Sequence, residues 1–304
     1  MIVPDFSRYN NPQQARLFNE QWAQQLQFLN GISYQRLTLT TDWGQTVVWL
    51  HTPKRRFAET LVFFSGFNSP ALAWDINHNL APLKKKYRLC LVEINGQPGL
   101  SAGKSPALES NEYAYWALQV IRQLGSGRVT LLGHGLGGLI CLKTCRVAPD
   151  HIKQAILVNP AGLQALSPSF ALLRYYWLAL NRPSFDSVQA FLRHSILSRS
   201  APALPAAYEK LVVDYQVYTL SEFTPSRWWH QALPDNELSV ITTQLHLLLG
   251  ADDQIYPYPT SLKRAIQLLP SAASLVVVPR LGHGIQSVGE AIPMIQSLLG
   301  LASR

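Results

Sequence analysis

At 304 residues the chain is long enough for one large α/β domain with an insertion, and 47% hydrophobic against 14% charged residues excludes a disordered chain. The formal charge of +8 is concentrated in two runs, Lys54-Arg55-Arg56 and Lys84-Lys85-Lys86. Neither run is joined to aromatic platforms or a known binding motif, so nucleic acid is excluded as a partner, and the runs read as a solvated loop and a solvated helix end.

The first residues, Met1-Ile2-Val3-Pro4-Asp5, lack a basic stretch followed by an apolar one. Residues 11–29 carry Leu17, Phe18, Trp22, Leu26 and Leu29 near helical spacing, which predicts an amphipathic helix. That helix could cover a sheet edge, border a pocket or meet a second subunit. Alternation over 34–40 and 46–51 around Asp42-Trp43-Gly44 predicts a hairpin. Short apolar runs then follow at 61–65, 89–94, 129–133, 155–159, 245–249 and 275–278. Helical patterns separate them at 69–85, 109–124, 136–148, 260–269 and 286–300. Apolar strands alternating with helices predict an α/β fold, a mostly parallel sheet covered by helices on both faces, with the hairpin at its front edge.

The alternation stops between 163 and 240. That stretch is helical in pattern and rich in aromatics, among them Tyr175, Tyr176, Trp177, Tyr208, Tyr215, Trp228 and Trp229. It reads as a helical cap (163–240) inserted into a core made of 1–162 and 241–304. No apolar run approaches the roughly 18 residues of a membrane span. Cys90 falls in a predicted strand, and Cys141 and Cys145 stand one turn apart on a predicted helix. Three cysteines without framework spacing read as reduced thiols, and no metal site or cofactor is expected. The missing leader and these thiols predict a cytoplasmic protein; oligomeric state stays open.

Four segments carry the chemistry. Val129-Thr130-Leu131-Leu132-Gly133-His134-Gly135-Leu136-Gly137-Gly138 runs from an apolar strand through G-x-x-x-G into a helix. Phe63-Phe64-Ser65-Gly66-Phe67-Asn68 ends another strand in a turn. Leu249-Gly250-Ala251-Asp252-Asp253 places acids just past a third, and Leu281-Gly282-His283-Gly284 follows the last. Glu93-Ile94-Asn95-Gly96-Gln97-Pro98-Gly99-Leu100-Ser101 adds a glycine-rich loop.

With nucleophile position, acid and histidine in that chain order, the stretch from about residue 35 to the C-terminus resembles the α/β-hydrolase superfamily. The resemblance implies a nucleophile elbow at Gly135, where the family normally carries serine. It implies Asp253 as the triad acid, in preference to Asp252, and His283 as the base. Backbone N–H groups of Phe67 (or Asn68) and Leu136 would form the oxyanion hole. Asn68 and the cap tryptophans Trp177, Trp228 and Trp229 are expected to meet substrate. Ser65 stands where the family has histidine, which bears on loop bracing; a rescue nucleophile there would have to lie in line with His283. His134 is expected to point away from the cleft, and Ser101 to be structural.

Glycine fits the strained backbone of such an elbow and supplies no attacking atom. Three readings follow. The chain is an enzyme in which His283 and Asp253 act without a covalent intermediate, as aminoacrylate hydrolases, lyases and cofactor-free oxygenases of this superfamily do. It is a serine esterase that has lost its nucleophile. Or it is a binding protein. The first two share a small or medium apolar ester or other carbonyl compound as substrate.

Overall fold

The computed structural model describes residues 8–54, 58–166, 168–198, 200–224 and 231–301. Arg55, Arg56, Trp228 and Trp229 therefore lie outside the described residues.

Among the described residues nine strands form one sheet in the order β1-β2-β4-β3-β6-β7-β8-β9, with the two-residue β5 (Ala102–Gly103) paired on β2. The strands are β1 (Gln35–Thr41), β2 (Gly44–His51), β3 (Thr60–Phe64), β4 (Arg88–Val92), β6 (Val129–His134), β7 (Ile152–Val158), β8 (Gln244–Gly250) and β9 (Ala272–Val278). β1 and β2 form the antiparallel hairpin, β2 meets β4 antiparallel, and every later neighbour pairs parallel. The apolar runs expected to be strands are all strands. The central ones are buried along their whole length because helices cover both faces. β9, at the edge, is mostly half-buried.

Two apolar layers flank the sheet. One gathers α1 (Pro12–Leu29), the residues around Trp74, and α10 (Ile292–Leu298). The other gathers α3 (Glu112–Gln123), α4 (Leu136–Val147), the short α8 (Asp235–Leu238) and α9 (Tyr258–Leu268).

Two expected helices are broken. Residues 69–85 form a 3-10 stretch, Ala71–His78, and a one-turn α2 (Ala81–Lys84). The break lies at Asn77, whose φ is 53°, and buried Asp75 anchors it. Asp75 accepts from Leu80 N at 3.0 Å, Tyr34 OH at 2.8 Å and Lys84 Nζ at 2.6 Å. Lys84 is thus not a solvated helix end: it reaches into the protein to pair with a carboxylate that has no exposed surface. Residues 286–300 likewise divide into a 3-10 turn, Ile285–Ala291, and α10, where Pro293 occupies the first helical turn.

Between β7 and β8 the described residues hold no strand pairing with the sheet. They hold α5 (Phe170–Asn181), α6 (Phe185–Phe191), a π turn (Leu192–Ile196), α7 (Ala206–Glu222) and α8. Helix α1 packs along α7. Trp22 Nε1 donates to Leu211 O at 2.9 Å, the Phe18 and Tyr218 rings stack at 3.8 Å, and Tyr9 bridges to Phe223. The N-terminal helix thus packs against this helical stretch, a placement that was not among the three its sequence left open.

Candidate active site

The chain turns sharply from β6 into α4 at Gly135, whose φ is 52° and ψ −114°. Side chains rarely adopt this conformation, and a residue with a Cβ would store about 1–3 kcal/mol there. The turn is imposed from outside. Gly135 N donates to Val158 O at 3.2 Å, and Gly135 O accepts from Ala161 N at 2.9 Å and Gly138 N at 3.0 Å. Gly137 is required by close approach, since a Cβ there would strike the Phe64 carbonyl. Leu136 is the first residue of α4, so its N–H has no acceptor within the helix and points out of the helix's positive end.

Asp253 and His283 come together at this turn. Asp253 Oδ1 accepts from Ile255 N at 2.7 Å and Tyr256 N at 2.9 Å, a side-chain turn that fixes the carboxylate. Its Oδ2 lies 2.8 Å from His283 Nδ1, with the Asp253 side chain buried and that of His283 16% exposed. A carboxylate at Nδ1 holds the proton there and leaves the Nε2 lone pair facing outward. Nε2 faces Gly135: a Cβ built on Gly135 would stand 3.4 Å from Nε2 and 3.5 Å from Gly66 Cα. Both are ordinary contacts. Tyr256 packs edge-on against the imidazole with centroids 5.3 Å apart, and burial followed by the Asp253 charge pushes its phenol up.

Asp252 is held elsewhere, accepting from Ser198 Oγ and from Ser200 Oγ at 3.1 Å. Ser65 is buried, and its hydroxyl donates to Pro70 O at 3.1 Å, so it braces its own loop and does not address His283. Ser101 is structural, receiving Val47 N at 2.8 Å and donating to Glu93 O at 2.7 Å. On the turn after β3, Asn68 has φ 52°, its N–H donates to Gln97 Oε1 at 3.2 Å, and its carbonyl accepts from Gln216 Nε2 of α7 at 2.9 Å. Trp177 stands 61% exposed on α5. A cavity of about 330 Å³ lies under the π turn, lined by His194, Leu197, Ser198, Leu204 and Ser287 among others; its lining does not include Gly135 or His283.

Three positioning residues were not assigned from sequence. His134 turns its ring under the histidine loop, where Nε2 donates to His283 O at 2.5 Å. Burial first, then proximity to His283, lowers His134 to about 3, so the ring is neutral there. Asn159, at φ 45° after β7, receives Gly250 N at 2.6 Å and donates to Gly282 O at 2.8 Å, tying the acid loop to the histidine loop. Gln216 reaches the Asn68 turn from the helical insertion. A strand-end asparagine in Val158-Asn159-Pro160 was the available signal for the second; Gln216 left none.

The sequence profile of the alpha/beta hydrolase family matches residues 61–291, and the chain belongs to that family. Among curated relatives, it is 26% identical over 247 residues to the uncharacterized carboxylesterase nap of Bacillus subtilis (strain 168), covering 81% of this chain and 79% of that one. It is 27% identical over 246 residues to the pimeloyl-(acyl-carrier protein) methyl ester esterase of Nitrosomonas europaea, covering 73% and 88%. Among solved structures, the naproxen esterase of Bacillus subtilis superposes with a TM-score of 0.77 at 23% identity, covering 94% of this chain and 97% of that one. The fold is the α/β-hydrolase fold.

Proposed function

We propose that this protein hydrolyses a small or medium carboxylic ester, or a related carbonyl compound, through a His283–Asp253 dyad without a covalent serine intermediate. The observation that carries this reading is the imidazole Nε2 held 3.4 Å from the position a Cβ of Gly135 would take, with Nδ1 on Asp253 at 2.8 Å. In this reading a water takes the place of the elbow's missing side chain, within hydrogen-bond reach of Nε2. His283 would take that water's proton as it attacks the carbonyl and return it to the alcohol oxygen as the ester C–O bond breaks, with Asp253 stabilising the imidazolium in between. The N–H of Leu136, at the positive end of α4, would stabilise the developing oxyanion, and the second donor assigned to the facing turn is the Phe67 amide. The esterases among the relatives support the substrate class. In this reading substrate also meets Asn68, with Trp228 and Trp229 assigned the same role from the sequence; Trp177, 61% exposed on α5, is not part of the site.

The test is turnover of a panel of p-nitrophenyl and methyl esters by the parent and by His283→Ala, with a fluorophosphonate probe run alongside. Turnover should fall about 10²–10⁴-fold in the variant, and the parent should stay unlabelled. Equal turnover in both proteins, or stoichiometric labelling of the parent, refutes the reading.

One observation favours a second reading, an esterase that has lost its serine. The backbone at Gly135 keeps the strained geometry, and ordinary contact distances leave room for a Cβ. In that case the parent is inactive on every ester, and serine at 135 restores turnover.

A further inference from the structure

Helix α5 turns its largest apolar side chains outward. Phe170 is 84% exposed, Trp177 61%, and Leu173 and Leu180 46% each, whereas only Leu172 and Ala179 of this helix are buried. The spacing of three, four and three residues places these four side chains within an arc of about 80°, at about 100° per residue, with Leu178, 40% exposed, on the flank beside it. Isolated exposed leucines are ordinary on a protein surface, but a continuous stripe of Phe, Leu, Trp and Leu marks a face that something covers.

The charges decide what. From 163 to 185 the chain has two arginines, Arg174 and Arg182, and no acidic residue. Both arginines are exposed. A second copy docking through α5 would form a two-fold contact, setting the arginines against their own like charges with no carboxylate on the helix to meet them. One stripe on a helix of 12 residues also falls well short of the roughly 800 Å² per partner of a stable dimer. An anionic bilayer suits both features. The aromatic and leucine side chains enter the boundary between headgroups and acyl chains, while the arginines reach back to lipid phosphates. The net charge of +8 draws the whole chain to such a surface. No helix among the described residues is long and apolar enough to cross a membrane, so the contact is peripheral.

The geometry points to α5 as a docking helix for an anionic phospholipid bilayer. Docking brings the proposed site close to the lipid. The Tyr175 ring of α5 stacks on His194 at 4.6 Å, and the π turn that carries His194 gives Ile196 O to Gly284 N at 3.1 Å, next to His283. The docking claim itself does not depend on what His283 does.

Co-sedimentation of the full chain with vesicles tests it. Binding to mixed phosphatidylglycerol and phosphatidylcholine vesicles should exceed binding to phosphatidylcholine alone by about tenfold or more. Phe170→Glu with Trp177→Glu should lower binding to the mixed vesicles by about tenfold or more. Arg174→Gln with Arg182→Gln, which leaves the stripe intact, should erase most of the preference for anionic lipid. All substituted positions are exposed, so circular dichroism and urea midpoints should match the parent. Equal binding to both vesicle types, parent-like binding by the glutamate variant, or a parent dimer that the glutamate variant dissociates in sedimentation velocity would each overturn the proposal.

Discussion

Serine at position 135 is the most direct probe of the site. The Cβ it adds would lie 3.4 Å from His283 Nε2, 3.5 Å from Gly66 Cα and 3.7 Å from His283 Cε1, so no backbone has to move. The hydroxyl extends about one further bond length from Cβ, which brings Oγ into the ~2.6–3.2 Å range of a nucleophile–base hydrogen bond. The cost is conformational: at φ 52° and ψ −114° a Cβ stores about 1–3 kcal/mol. Gly135→Ser should therefore lower the urea-unfolding free energy by about that amount. It should also acquire stoichiometric labelling by a fluorophosphonate, read as a mass shift on the peptide containing residue 135. If the parent works through a water, serine displaces that water, and the parent's own reaction slows while an acyl-enzyme burst appears. If the parent is an esterase without its nucleophile, the variant gains turnover from nothing. A folded variant that stays unlabelled would refute the geometry on which both readings stand, because Nε2 would then not address the elbow.

Asp253→Asn keeps an oxygen for Ile255 N and Tyr256 N but offers His283 Nδ1 an amide, which favours the wrong tautomer; ester turnover should fall about 10²–10⁴-fold with a near-parental urea midpoint. Asn159→Ala leaves Gly250 N and Gly282 O buried without their partners, and should cost about 2–4 kcal/mol in urea unfolding together with most activity. The stability–pH curve carries two opposed contributions. His134, lowered to about 3 in the folded chain, is protonated first in the unfolded one, so its contribution is present above about 6.5 and is lost as pH falls toward 3. Glu93, raised by burial to about 7, contributes stability that is full below about 4.5 and is lost as pH rises through 7. Between about 4.5 and 6.5 the two slopes cancel; Glu93→Gln should expose a rise of about 1.4 kcal/mol per pH unit in that window, and a flat urea-derived profile in the variant would refute the assignment.

The sheet was legible because its strands are buried on both faces, so their apolar runs carry no competing pattern. The elbow was legible for a similar reason: close approach of β3, β6 and α4 leaves glycine as the residue that fits at 137, and the spacing survives in the sequence. The helix expected at 69–85 misled because its break depends on tertiary partners. Asp75 draws Tyr34, Leu80 and Lys84 onto itself, and no local pattern announces a lysine folded inward. The Asp253–His283 contact was readable from the two residues standing after strand ends. Its bracing was not, since His134, Asn159 and Gln216 act on loops 149, 123 and 148 residues away in the chain.

That bracing bears on what glycine at the elbow means. The backbone at 135 is held by Val158, Ala161 and Gly138, the histidine loop by His134 and Asn159, and the facing turn by Gln97 and Gln216. None of these bonds involves a side chain at 135. Each buried partner left unpaired would cost about 1–3 kcal/mol, so the frame is enforced more strongly than the strain a serine would add. The orientation of His283 toward the elbow is therefore a property of the surrounding loops. Exchanging glycine and serine at 135 changes which atom meets the imidazole and leaves the imidazole where it is, so any difference in rate between the two proteins measures chemistry at Nε2 rather than a rearranged site.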